Sequence, residues 1–204
     1  MLEPLPRLAL AYAPGPARAT WLAFLALDAR LGRVVRDARE PMIGQIRLAW
    51  WRDRLAEPAN DWPKGEPLLQ LLRQWGGDHG GLSPVVDGWE VLLGEPPLSG
   101  ERFLEAASGR AAGAAAVATR LGAGAHLDEV ARLGRNWALA DFAARVSDPR
   151  EATTLAELVG AQDWRPANLP RALRPLVVLH GLAGGNRSGT GQFLTALRLG
   201  FLGR

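Results

Sequence analysis

The groups in this chain best suited to chemistry are its carboxylates and guanidiniums, because it has no cysteine and three histidines. Without thiols there is no disulfide framework and no thiolate metal site. His79, His126 and His180 are scattered, with no pair at a ligand spacing, which argues against zinc or iron. The acids of interest are Asp28, Asp37, Asp141 and Asp148. Carboxylates four apart on a helix share a face, the arrangement that suits a hard cation such as Mg²⁺, which wants oxygen ligands. Asp28 and Asp37 are instead nine apart, with Gly32 and Arg36 standing where a second acid would be needed. Four residues after Asp141 the chain has Arg145, and Asp148, seven after it, is followed by Pro149 at a helix end. Taken alone, these acids read as surface or salt-bridging groups, and no metal site is expected.

Arg30, Arg33, Arg36 and Arg39 recur every three residues and so drift about 60° per step around a helix. They form either a metal-free phosphate clamp, since guanidinium matches phosphate bidentately, or a solvated face paired with Asp28, Asp37 and other acids. Eight tryptophans are many for 204 residues. Trp50, Trp51 and Trp137 either line an apolar pocket or belong to the core, the commoner place for tryptophans at helical spacing. The Gly184–Gly189 stretch has no preceding strand and no Gly-Lys-Ser/Thr ending, so it reads as an interhelical loop, not a phosphate loop. There is no nucleophile elbow or Ser/His/Asp order.

The elements that must position these groups are helices. Apolar periodicity near 3.6 dominates and strand-like alternation is nearly absent. A first long helix fits Ala17–Asp37 after the Pro14-Gly15-Pro16 turn, with Trp21, Phe24, Leu25, Asp28 and Leu31 along it. Pro41 opens a second, Met42–Leu55, whose apolar stripe is wide enough to contact neighbours on more than one side. Pro67–Trp75 and Pro84–Leu93, the latter behind a Ser83 N-cap, are shorter. Ser99 begins a helix to Leu121 whose Gly109–Ala118 middle is built of small residues, which permits close backbone approach or leaves room for a ligand. Leu127–Val146, closed by Asp148-Pro149, then Ala152–Gly160, Pro170–Leu182 and Gln192–Leu202 complete the pattern. The expected class is all-α, with residues 1–204 as one domain.

Composition narrows the function. Hydrophobic residues make up 48%, too many for a disordered chain. The net charge is only +3, and the basic residues are arginines apart from Lys64. No clustered basic block with aromatic platforms is present, so no nucleic-acid partner is expected. The Met1–Arg7 start carries an acid and two prolines where a signal peptide needs a basic then apolar run. No apolar run approaches the roughly 18 residues of a membrane span. The expectation is a cytoplasmic protein with no transmembrane segment, free or peripheral to a membrane.

Three stretches carry a resemblance. Residues 26–55, ALDARLGRVVRDAREPMIGQIRLAWWRDRL, contain its most specific part, Glu40-Pro41 followed by Ile46-Arg47-Leu48 and Trp50-Trp51. The others are residues 134–145, GRNWALADFAAR, and residues 169–183, LPRALRPLVVLHGLA. Together they resemble the squalene/phytoene synthase family, most closely its divergent bacterial branch, which is itself similar to a mitochondrial assembly factor for respiratory complex I. The resemblance implies a terpenoid-synthase-like helical bundle around a central cavity, in which the Ala17–Asp37 and Leu127–Val146 helices face each other. In active members each of these carries an Asp-x-x-x-Asp pair, and the Mg²⁺ cluster they hold draws charge from the leaving diphosphate of an isoprenoid substrate. By that alignment Asp28 and Asp141 are remnants of the two motifs, and Arg33, Arg36, Trp50 and Trp137 are the candidate binding residues. The implied function is a binding or assembly scaffold with no cofactor, taking an isoprenoid or other apolar ligand or a protein partner in assembly. The alternative is a transferase that condenses or binds isoprenoid diphosphates through a rearranged site, and only that alternative calls for Mg²⁺.

Overall fold

The computed structural model describes residues 2–77 and 79–184, and all regular structure among them is helical. Nine α-helices follow in order: α1 Pro4–Ala11, α2 Gly15–Asp37, α3 Pro41–Ala56, α4 Pro67–Arg73, α5 Ser83–Glu90, α6 Gly100–Arg120, α7 Leu127–Ala143, α8 Pro149–Gly160 and α9 Arg174–Gly184. The all-α expectation is met. None of these helices is long and apolar enough to cross a membrane. The Gln192–Leu202 helix, and all of the Gly184–Gly189 loop except Gly184 itself, lie outside the described residues.

Proline sets most of the starts, because its fixed φ suits the first turn and its missing N–H would be unsatisfied there anyway. Prolines occupy the first turn of α1, α2, α3, α4, α5 and α8. Several starts shift by one to four residues from the sequence reading, α9 most, from Pro170 to Arg174, and three differ in kind. Helix α1 was not anticipated: Pro4, which looked only like an obstacle to a signal peptide, is the first residue of a helix. Ser83 is no N-cap, since the turn Gly80–Leu82 runs straight into α5 and leaves Ser83 already helical at φ −56°, ψ −38°. Asp148 does not close α7, which ends at Ala143, short of the expected Val146. It caps α8, its Oδ1 accepting from the Arg150 N–H at 2.8 Å, so α8 begins three residues before Ala152.

The core runs continuously through residues of all nine helices. Its centre is α6, which packs on α2, α5, α7 and α8. The small residues of α6 are there for close approach. A Cβ on Gly109 would stand 2.8 Å from the Gly88 Cα of α5, and one on Gly134 of α7 would stand 3.0 Å from the Ala111 Cα. With three backbones drawn this tightly together, no space is left along that stretch for a ligand. Buried aromatics fill the remainder: Phe24 of α2 meets Trp21 and Trp137 edge-on, with centroids 6.0 and 6.4 Å away.

Candidate functional site: two carboxylates joined by a buried arginine

Asp28 lies on the buried face of α2, in step with Trp21, Phe24 and Leu31. A carboxylate on an apolar stripe must find a partner or lose its charge. The partner is Arg110, the only charged residue between Glu105 and Arg120 in the small-residue stretch of α6. Arg110 is 2% exposed. Its Nε donates to Asp28 Oδ1 at 3.0 Å and its Nη1 to Asp141 Oδ2 of α7 at 2.9 Å. The guanidinium carbon lies 5.1, 4.7 and 4.8 Å from the ring centroids of Trp89, Trp137 and Phe142, so cation–π attraction supplements the two ion pairs. The Trp89 indole N–H donates to the same oxygen, Asp28 Oδ1, at 2.8 Å. Gly32 makes this possible, because a Cβ there would be 2.8 Å from the Trp89 ring.

Asp141 is shared outward. Arg145, one turn later on the same chain, donates to its Oδ1 at 2.7 Å and to both carboxylate oxygens of Glu3 at 2.6 and 2.5 Å. A chain of alternating charge therefore runs Glu3, Arg145, Asp141, Arg110, Asp28, and pins α1 to α7, α6 and α2. Burial is the largest influence on Asp28 and pushes its carboxyl above the usual range, outweighing the attraction of Arg110. Burial also acts on Asp141, but there Arg110 and Arg145 together win and hold the carboxyl below that range. Burial would lower Arg110, yet the two aspartates overcome it and its pKa is raised.

The cavity lined by Glu3, Asp28, Arg36, Arg110, Trp137 and Asp141 has a volume of ≈ 20 Å³. That holds about one water molecule. Three carboxylates border it, yet each is bonded to a guanidinium, and among the described residues no group of three His, Asp or Glu is arranged to hold a metal ion. What this arrangement can do chemically is lock three helices and one terminal segment in register.

The other candidate residues separate into two places. Arg33 and Trp50 meet in a surface cleft of ≈ 470 Å³ between α2 and α3, together with Val34, Asp37, Ile46 and Arg47. Trp137 is inside, stacked on Arg110, and Arg36 lies at the rim of the small cavity. Trp50 and Trp137 therefore line no common pocket, and Trp51 is buried beneath Trp50 with ring centroids 4.9 Å apart. Of the arginines, Arg30, paired with Glu66 at 3.0 Å, and Arg33 line the surface cleft, Arg36 lies at the small cavity, and Asp28 pairs with none of them. Sequence reasoning passed over Arg110, Trp89 and Glu3. Only Arg110 left a signal, a lone charge in a run of alanine and glycine.

Comparison with protein-family models, with curated proteins and with solved structures finds no match.

Proposed function

We propose that this chain is a squalene/phytoene synthase family protein that has given up Mg²⁺-dependent prenyl transfer and serves as a cytoplasmic binding or assembly scaffold. One observation carries the reading: the Arg110 guanidinium bridges the two remnant acids. In this reading the family's terpenoid-synthase-like bundle is kept, its central cavity is the place that Arg110 and Trp89 fill, and no cofactor is bound. A Mg²⁺ ion placed between Asp28 and Asp141 would face a buried cation and would have to strip both carboxylates of their present donors. Gly32, at the position of a lost acid, now accommodates an indole. The scaffold's own ligand is an isoprenoid or other apolar molecule, or a protein partner in assembly.

The alternative, a transferase acting on isoprenoid diphosphates, draws support from Glu3, Asp28 and Asp141 bordering one cavity. It requires Arg110 to leave that cavity and Mg²⁺ to enter. The test is incubation with labelled farnesyl or geranylgeranyl diphosphate, Mg²⁺ and a reductant, followed by lipid extraction. The expected result is no C30 or C40 product above the protein-free control. A labelled product that disappears in Asp141→Asn would overturn the scaffold reading.

A further inference from the structure

Helix α3 is apolar on two opposite sides. Gly44, Leu48, Trp51 and Leu55 face the core. On the other side Met42, Ile43, Ile46 and Trp50 are 66%, 42%, 60% and 36% exposed. These are four of the six large apolar side chains exposed among the described residues, so the exposure is concentrated on one helix face and not scattered. Isolated exposed apolar residues need no explanation, but a contiguous patch marks an interaction surface.

The order of residues along this face names the occupant. Arg39, Met42, Ile46, Trp50 and Asp53 are spaced 3, 4, 4 and 3 apart, a sequence that reads the same in both directions about Ile46. At 100° per residue Met42, Ile46, Trp50 and Asp53 fall within about 80° of one another, and Arg39 lies just ahead of the helix, before its extended N-cap Glu40. Among the described residues neither Arg39 nor Asp53 has an ion-pair partner, although both are exposed. We infer that this face is a two-fold homodimer interface in which α3 packs antiparallel on α3 of a second copy, with Ile46 at the axis. In an isologous contact a residue n places before the axis meets the residue n places after it. Ile46 then meets Ile46 of the copy, Met42 meets Trp50, a favourable sulfur–aromatic pairing, and the segment carrying Arg39, just before the helix start, comes opposite Asp53 near the helix end.

The charges speak against the other occupants. The unpaired arginines of the patch, Arg33, Arg39 and Arg47, are matched by the unpaired acids Asp37, Glu40 and Asp53, so nothing draws it to an anionic bilayer. A balanced rim suits a copy of itself. The helix face, about 24 Å long for 16 residues, is smaller than the ~800 Å² per partner of a standard interface. The cleft wall of Arg33 and Val34 on α2 must add to it, and the dimer is reversible and concentration-dependent. This inference stands independently of the scaffold reading and of the family.

The experiment uses the full chain, whose lack of cysteine makes an introduced thiol unique. Sedimentation velocity from about 1 to 200 μM should show a monomer–dimer equilibrium, weakened at least tenfold by Met42→Ser/Ile46→Ser. Arg39→Asp and Asp53→Arg should each weaken it severalfold, and the double reversal should restore it. Under mild oxidation Ile46→Cys should crosslink to a dimer, which needs Cα atoms within about 7 Å. Ala156→Cys, on exposed α8, which packs on α6 and α7, should not. A monomer throughout the range with no crosslink at position 46 would overturn the proposal, whether the patch is covered by the chain's own remaining residues or by lipid. Failure of the double reversal to restore what the single changes lose would overturn the Ile46 axis.

Discussion

The interior joining α2, α6 and α7 and the outward face of α3 break the same rule in opposite ways. The first buries charge: Asp28 and Arg110 are nearly inaccessible and Asp141 is mostly covered. The second exposes apolar surface. The first is self-sufficient, because every charge it buries has an opposite charge at hydrogen-bond distance within the same chain. The second is not, for Met42, Ile43 and Ile46 stand in water and neither Arg39 nor Asp53 has an ion-pair partner among the described residues. Charge that cannot reach water must be matched inside the fold, whereas apolar surface left outside is tolerated until something covers it.

The largest effect should come from breaking the first region. Arg110→Met leaves Asp28 buried with no cation and Asp141 with Arg145 alone, and should cost about 3–5 kcal/mol in urea unfolding at pH 7. Adding Asp28→Asn and Asp141→Asn should recover a good part of that loss, since the penalty lies in the orphaned charges. If the triple variant is no more stable than Arg110→Met, packing around the guanidinium matters more than its charge.

His180 sharpens the comparison, being a buried titratable group with no acid bonded to it. Burial first, then the nearby Arg132, push its pKa down to about 4, against weaker pull from Asp163 and Glu129. The unfolded chain binds this proton near pH 6.5 and the folded chain only near 4. Stability is therefore intact above the unfolded value and falls as pH drops through that window, by roughly 3 kcal/mol. His180→Gln should flatten that limb in a pH series of denaturation curves. The acids with lowered pKa, among them Glu129 and Asp163, act below it, where both proteins should lose stability in parallel.

A smaller effect tests the packing that sets Arg110 in place. Gly109→Ala would drive a methyl into the Pro84 carbonyl and against Gly88, and should cost about 1–3 kcal/mol. The smallest belongs to the second region. Met42→Ser/Ile46→Ser should change the stability of the dilute protein by no more than about 0.5 kcal/mol, because these side chains are already in water. A clear loss there would mean the face is covered within the chain.

Much of the helical layout was legible in the sequence because it depends on short-range signals. Ala17–Asp37 differs from α2 by two residues at one end, and Leu127 starts α7 as expected. Errors arose where one signal served two purposes, as with the prolines of α1 and Asp148. Two members of the charge chain, Asp28 and Asp141, were picked out in the sequence, Asp28 in step with the apolar stripe of α2. Their connection was not, because Arg110 meets Asp28 across 82 residues and Asp141 across 31. Nothing local to α6 tells an inward-facing arginine from a solvated one. The glycines that press α6 against α5 and α7 decide it. The double-sided stripe of α3 was visible as a wide apolar face, while which side met the core depended on α2 and α5.

The buried charge chain also bears on the order in which the protein can fold during synthesis. Asp28 leaves the ribosome with α2, but its cation arrives only with α6 and the acid that shares that cation only with α7. Until Arg110 has emerged with α6, α2 presents a carboxylate on its apolar face that lacks its cation. The early helices should therefore stay loosely associated, not settle as an independent N-terminal unit in the way domains usually do during translation. Registration of the whole bundle is deferred to the moment α6 and α7 close together, and a nascent chain stalled before α6 should remain sensitive to protease across α2.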